Sequence, residues 1–366
     1  MILLFRANGI TASRVNKYVG FYKSQNLDFR VIGWDRLGEG ISLPNYDFFN
    51  YRTKYVQGGL KAIFAKFRWM HFVFRYLKSK KNEVTTVHAC DLDVAFPSVL
   101  FKIIYKNNLN IIFDVCDWLS ASKRDCFIIR CLRMVERFTV RRCNQMIICE
   151  PERIKQIQFD VPIPIHIMRN IPSFKDTSFL KENVITPFNN DNVTVSYVGW
   201  FGQGRFIQEI LDYAANGKIN LLIAGFGMTS IEDQCKKLSK TTDNVRFYGK
   251  VDYIYGLQIM KASDLIYAMY CKTVPNHFFA APNKFYESML LGKPILSTSG
   301  IPLESKIKSI GIGYTIDETI EALNLFFENV SKEDLRIKGE NAHKQWSYFS
   351  SLTQKFLFGE YKNMLK

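Results

Sequence analysis

The feature that most constrains this chain is a rhythm. Short runs rich in β-branched and aromatic residues recur along it, and helical stretches separate most of them. The first runs are "MILLF" (1–5), "FRVIGW" (29–34), "VTTVHA" (84–89), "NIIFDV" (110–115), "QMIIC" (145–149) and "PIHIM" (164–168). Pro97 and Pro151 stand where first helical turns would begin, a position that proline tolerates. Strands joined by helices pair in parallel and are covered on both faces. A polar stretch without clear period, 172–192, reads as an interdomain linker. The rhythm then restarts with "VTVSYVG" (193–199), "INLLIAG" (219–225), "NVRFYG" (244–249), "DLIYAM" (264–269), "KPILST" (293–298) and "GIGYTI" (311–316). At 366 residues the chain exceeds one typical core. The expectation is therefore an α/β protein with two doubly wound, Rossmann-like parallel sheets facing a cleft. In such sheets ligands bind outside the carboxyl ends of the strands.

Charge narrows the partners. Lys and Arg number 49 against 34 Asp and Glu, a net +15, which suits nucleic acid, anionic lipid or a phosphorylated substrate. The segment "KAIFAKFRWMHFVFRYLKSKK" (61–81) holds seven Lys/Arg and no acid. Read as a helix, it carries Lys61, Arg68 and Arg75 on one side and Ile63, Phe67, Met70, Phe74 and Leu77 as an apolar stripe on another. It reads either as a domain helix burying that stripe or as a helix resting on an anionic membrane. Both hold if Trp69, Phe72 and the cations alone reach lipid. Arg130, Arg133, Arg137, Arg141 and Arg142 form a second helix-spaced basic run. The basic residues sit among bulky apolar ones and no nucleic-acid motif is present, so nucleic acid is not the expected partner. No apolar run approaches a membrane span, and "MILLF" lacks the basic flank of a signal peptide. Eight cysteines without C-x-x-C spacing read as reduced thiols. The expected location is cytoplasmic, or peripheral on the inner face of the plasma membrane.

The motifs exclude hydride transfer and P-loop hydrolysis. Neither G-x-G-x-x-G after a first strand nor a Walker A sequence occurs. "GWFGQGRF" (199–206) remains informative. Gly199 and Gly204 would let backbone approach a ligand, and Arg205, opening the next helix, could pair with a diphosphate. "HACDLD" (88–93) and "DVCD" (114–117) each close a strand. His88, Cys90, Asp91 and Asp93 include metal-ligand types but lack a distant partner, so a loop at the sheet edge is preferred and no metal is assigned. In "PNKFYESMLLGKPIL" (282–296), Glu287 could accept the two vicinal hydroxyls of a ribose. Lys284, one turn earlier, could reach a phosphate. The plain alternative for Glu287 is a charge favourably placed near a helix N-terminus.

Taken in order, "YVGWFGQGRFIQEIL", "LLIAGFG", "NVRFYGKV", "ASDLIYAMY" and "PNKFYESMLLGKPIL" resemble the retaining glycosyltransferases of the GT-B fold, specifically the GT4 family. The likeness extends more loosely through "RANGITASRVNKYVGFYKSQNLDFRVIGWDR", "VHACDLD" and "IIFDVCDW". "KQWSYFSSLTQKFLFGEYKNMLK" resembles the family's last helix, which crosses back to the first domain. The resemblance implies an acceptor-binding domain over 1–180, a nucleotide-sugar-binding domain over 181–343 and a crossing helix over 344–366. It implies sugar transfer from a nucleotide-sugar donor with retention, without cofactor or required metal. Glu287 matches the second glutamate of the family's E-x7-E motif, Arg205 the diphosphate-binding cation, and Lys284 a second cation. Gly225, Phe226 and Gly227, Val251 and Tyr253, and Asn283 would border the donor. Asn8, Gly9, Arg14, His88, Asp91 and Asp117 would face the acceptor, with Arg205, Lys284 and Asp91 nearest the reaction. The chain departs from the pattern at Phe279, where the first glutamate is expected, and at Cys90 and Cys116, where histidines are. The implied acceptor is a saccharide or a polyprenyl-diphosphate-linked saccharide, in surface-polysaccharide assembly. The rival readings are a nucleotide-sugar epimerase on the same fold, a basic nucleic-acid-binding protein and an inactive scaffold.

Overall fold

The structure, a computed structural model, describes residues 1–8, 13–38, 40, 42–53, 59–122, 125–174, 177–182 and 184–366. Gly9 lies outside the described residues. The chain forms two compact units, Met1–Arg169 with Leu352–Lys366, and Asn170–Ser351.

The first unit is built on a seven-stranded parallel sheet: β1 (Ile2–Arg6), β2 (Phe29–Trp34), β3 (Tyr46–Phe49), β4 (Thr86–Cys90), β5 (Asn110–Val115), β6 (Gln145–Ile148) and β7 (Ile165–Ile167). Their order is β3-β2-β1-β4-β5-β6-β7. Near-continuous apolar strands suit a sheet covered on both faces. In β1 the period of two divides the cover. Leu3 and Phe5 join one core with α2 (Leu60–Ser79), α3 (Leu92–Tyr105) and α4 (Phe127–Val140). Ile2 and Leu4 join another with α1 (Ser13–Ser24) and the C-terminal segment. The short strand β3 was not among the expected ones. Its four residues are all partly exposed, because it is the edge of the sheet.

Helix α2 forms where expected but is rotated. It buries Ala65, Trp69, Val73 and Leu77, while Ile63 and Phe67 of the expected stripe are more than half exposed. Trp69 is wholly buried and stacks on Trp34 with ring centroids 5.9 Å apart. Phe72 packs on Phe49 at 4.8 Å. The aromatic edge formed by β2 and β3 turns the helix, so Trp69 and Phe72 do not reach outward. Among the described residues no helix is long and apolar enough to cross a membrane.

Two expected ligand contacts prove to be interior links. Arg14 donates to both carboxylate oxygens of Asp114, at 2.9 and 2.6 Å, and to the Met168 carbonyl at 2.7 Å. His88 is fully buried, with Nε2 at 3.3 Å from Asp114 and Nδ1 at 2.6 Å from the Tyr361 hydroxyl. Tyr361 also bonds Tyr22, and its ring packs on Tyr18. The network thus anchors the C-terminal segment to its own unit. Burial alone would raise Asp114, but Arg14 and then His88 override it and hold the carboxyl below its usual range.

The second unit holds a six-stranded parallel sheet: β8 (Thr194–Phe201), β9 (Asn220–Gly227), β10 (Val245–Phe247), β11 (Leu265–Ala268), β12 (Ile295–Thr298) and β13 (Gly313–Ile316). Their order is β10-β9-β8-β11-β12-β13. The crossovers are α5 (Ile207–Ala215), α6 (Thr229–Thr241), α7 (Tyr253–Lys261), the short α8 (Pro275–Phe278) with α9 (Asn283–Leu291), and α10 (Pro302–Ile310). α11 (Ile320–Asn329) and α12 (Lys332–Lys355) follow. The expected linker belongs to this unit. Phe174, Phe179 and Leu180 pack against Leu257, Met260 and Ile266, so the chain leaves the first unit at Arg169 and not at 180. The return to the first unit falls inside α12, after Ser351, and not at 344.

Removing the Asp114 carboxylate would leave the buried Arg14 guanidinium without the counter-charge it pairs with. Asp114→Ala is expected to cost about 3–5 kcal/mol, because a stranded buried charge keeps its desolvation penalty. Urea unfolding of the variant beside wild type measures this.

Candidate functional site

The second sheet reverses its winding at β8. From β8 the chain steps outward to β9 and β10, then crosses back to β11 on the other side. Loops leaving β8 and β11 therefore diverge at their carboxyl ends, where a doubly wound sheet opens a crevice. A cavity of about 420 Å³ lies there. Its walls are the end of β8, the segment after β11 and the starts of α7 and α9.

Seven residues expected on the donor side line this cavity: Gly199, Arg205, Val251, Tyr253, Asn283, Lys284 and Glu287. Glu287 is buried and accepts a hydrogen bond from the Tyr253 hydroxyl at 2.9 Å. Burial raises its pKa, against the lowering effects of Lys284 and the Tyr253 hydrogen bond. Lys284 lies one turn before Glu287 on α9, with Nζ 5.1 Å from the centre of the Tyr197 ring. A Cβ at Gly199 would stand 3.1 Å from that Nζ, so glycine there leaves the ammonium its space. Burial lowers the Lys284 pKa to about 8, with Arg205 adding to the fall and Glu287 opposing it. Arg205 stands two residues ahead of α5 rather than within its first turn. Its guanidinium lies over the Tyr270 ring at 4.5 Å, and its Nε is buried without a hydrogen-bond partner. Next to it His277 is pushed down to about 4, first by burial and then by Arg205, so it is neutral near pH 7.

The turn that presents Arg205 depends on Gly204, whose φ is +73° and whose carbonyl accepts the Cys271 amide at 2.8 Å. A Cβ on Gly204 would meet Cys271 Cβ at 2.9 Å. The next residue but one, Phe206, holds a left-handed φ of 54°, and its carbonyl takes the Tyr267 hydroxyl at 2.7 Å.

Gly204, Gly225, Phe226 and Gly227 do not line the cavity. Gly225 has a packing reason: a Cβ there would lie 1.8 Å from the Gly199 carbonyl oxygen on the neighbouring strand. Phe226 is half exposed, with Lys250 over its ring at 5.2 Å. The cavity also contains residues not anticipated, Tyr197, Trp200, Gly256 and Tyr270 among them. Their signal was position alone, at the carboxyl ends of β8 and β11 and the start of α7.

Asn8, Asp91 and Asp117 stand at the carboxyl ends of β1, β4 and β5 in the first unit. Asn8 and Asp117 are exposed, and Asp117 pairs with Arg153 at 3.4 Å. Asp91 holds a φ of 68° before α3, and its Oδ1 accepts the amides of Cys116 and Asp117 at 3.0 and 3.2 Å. Burial and then the charge of Asp93 raise it to about 7. Among the described residues, His88, Cys90 and Asp114 bring possible metal-ligating atoms within 4.8 Å of one another. Arg14, Tyr18 and Tyr361 already engage His88 and Asp114 there, which favours a packing role.

No protein-family model matches the chain, and no curated protein matches its sequence. Solved structures do. Sucrose-phosphate synthase from Thermosynechococcus elongatus aligns at 14% identity and TM-score 0.73, covering 100% of this chain and 98% of that one. Anabaena HepE in complex with UDP and glucose aligns at 13% and 0.61, covering 98% and 99%. A putative UDP-N-acetylglucosamine 2-epimerase from Listeria monocytogenes aligns at 12% and 0.60, covering 98% and 96%. Likeness at such identity shows the fold, the two Rossmann-like units of the GT-B type.

The depressed pKa of Lys284 gives the cavity a pH signature. In the free protein Lys284 loses its charge above pH 8, while the unfolded chain keeps it to about 10.5. Free-protein stability therefore gains as pH rises through that window, since the unfolded state binds the extra proton. Affinity for a dianionic ligand should fall over the same window, by up to about tenfold per pH unit, and Lys284→Met should flatten the profile. Calorimetric titration with a nucleoside diphosphate between pH 6.5 and about 9.5 reads both effects.

Proposed function

We propose that this chain is a retaining glycosyltransferase of the GT4 kind. It would move a sugar from a nucleotide-sugar donor to a saccharide or lipid-linked saccharide in surface-polysaccharide assembly. The observation that carries the reading is the placement of Glu287, Lys284 and Arg205 in one cavity at the switch point of the second sheet. One carboxylate oxygen of Glu287 is held by Tyr253, which aims the group. The carboxylate accepts the ribose hydroxyls, and the two cations take the diphosphate.

The chemistry follows from charge. As the bond from sugar to diphosphate breaks, negative charge grows on the leaving oxygen. Arg205, Lys284 and the first amides of α9 stabilise it. With two cations at the diphosphate, the reading needs no metal ion or cofactor. The leaving oxygen takes the acceptor's proton on the face it departs from, which retains configuration. Asn8, Asp91 and Asp117, at the carboxyl ends of the first sheet, are the acceptor-side candidates. Phe279 supplies no carboxylate where the family pattern has one, so contacts to the sugar fall to other groups.

The fold likeness to a putative 2-epimerase favours one second reading, epimerisation of the donor without an acceptor. Incubation with nucleotide-sugars alone separates the two, since an epimerase gives a new nucleotide-sugar and the transferase does not.

Thermal shift with UDP, GDP, ADP and CMP tests the site itself. One nucleoside diphosphate should raise the melting temperature of wild type. Glu287→Ala, which strips the ribose contact, should lose most of that rise, equivalent to about 10-fold or more in affinity. An identical response of wild type and variant would leave Glu287 as a helix-end charge only.

A further inference from the structure

The first unit leaves more apolar side chain bare than isolated surface residues account for. α2, α3 and α4 lie over one face of its sheet, burying Trp69, Val99 and Val140 toward it. Outward, α2 presents Ile63, Phe64 and Phe67, and α4 presents Phe127 and Ile128. Phe67 is 62% exposed, Phe127 80% and Ile128 74%. Scattered exposed residues are ordinary, but these five share one end of the unit. α2 and α4 each follow a strand of the parallel sheet, β3 and β5, so their first turns stand at its carboxyl edge with the start of α3 between them.

The same surface is cationic. The first turns of α2 carry Lys61, Lys66 and Arg68 beside these apolar residues, Arg75 and Lys78 follow toward the other end, and the helix has no acid. Lys66 lies near enough to the buried Asp93 carboxylate to favour its charge, and the other four form no ion pair with a carboxylate among the described residues. On α4, Arg130 and Arg133 share the single carboxylate of Asp125, at 3.0 and 3.2 Å. Glu136, the one acid of α4, is buried and accepts the Ser120 amide at 3.0 Å.

We propose that this edge of the first unit docks on an anionic lipid bilayer. Phe64, Phe67, Phe127 and Ile128 enter the headgroup layer, and the flanking cations meet lipid phosphates. Amphipathic surfaces bind anionic membranes by that pairing of buried apolar area with charge attraction. Two alternatives fit less well. In a two-fold pairing of copies through this face, each cationic surface would meet its own like. A nucleic acid would meet protruding Phe and Ile where phosphate contacts are needed. Docking brings the end of the sheet that holds Asn8, Asp91 and Asp117 to the lipid surface. The inference rests on the first unit and not on the cavity of the second.

Co-sedimentation of the full chain with phosphatidylcholine vesicles, with and without phosphatidylglycerol, tests it. Wild type should sediment with the anionic vesicles at low salt, be released as salt rises, and ignore pure phosphatidylcholine. The double substitution Phe67→Asp, Phe127→Asp should lower partitioning at least about tenfold. Its melting temperature and its response to nucleoside diphosphate should stay those of wild type. Lys66→Glu with Arg68→Glu should weaken binding at low salt in the same way. Absence of vesicle binding, or equal binding by the aspartate variant, would overturn the proposal. So would a wild-type dimer, seen by light scattering, that the aspartates dissolve without any vesicle binding in either form.

Discussion

The site depends on one topological constraint, the reversal of winding between β8 and β11. A parallel sheet needs a crossover for each strand, and right-handed crossovers pack their helices against the face they return over. Where two neighbouring strands send their chains to opposite sides, no crossover covers the gap above their carboxyl ends. The cavity occupies that gap, and it faces the first turns of α7 and α9. The amides there point outward without intrahelical partners, so the opening is electropositive before any side chain is counted.

The side chains build on that field in an unusual way. Both cations rest on aromatic faces, Arg205 on Tyr270 and Lys284 on Tyr197. A ring face holds a cation in place without neutralising it, in contrast to a carboxylate pair. Burial disfavours charge on Lys284 and on Glu287 alike, which leaves the first pKa lowered and the second raised. Tyr253 bonds Glu287, and Phe174 stacks on Tyr253 with centroids 5.8 Å apart, so the segment that opens the second unit also supports this pair.

Much of this was legible in the residues. Every expected strand is present, because apolar runs of four to eight residues between helical stretches have few other fates in an α/β fold. That Glu287, Lys284 and Arg205 would come together was legible because each stands at an element end on the carboxyl side of the second sheet, where one cavity collects them. Tyr197 and Tyr270 were not, since a tyrosine in an apolar strand looks the same whether it faces a core or a cation. Arg14 and His88 misled for the opposite reason. Polar residues at strand ends and helix starts suggest ligands, yet these two satisfy Asp114 and Tyr361 inside the first unit. The segment 172–192 read as linker because its few aromatics have no period, and period is blind to an irregular segment packing on a helix.

By itself the sequence determined the element types, the parallel pairing and the charges available at the carboxyl ends, since these follow from local periodicity and residue chemistry. It also determined that basic and apolar residues would share α2. Which side of α2 faces the core was decided by tertiary structure, where Trp34 and Phe49 offered Trp69 a stacking surface and left Phe67 outside. Tertiary structure alone also decided which polar groups meet. Arg14 lies 100 residues from Asp114, and His88 lies 273 from Tyr361. Pairing at such separations depends on how sheet and helices pack, which no local pattern encodes.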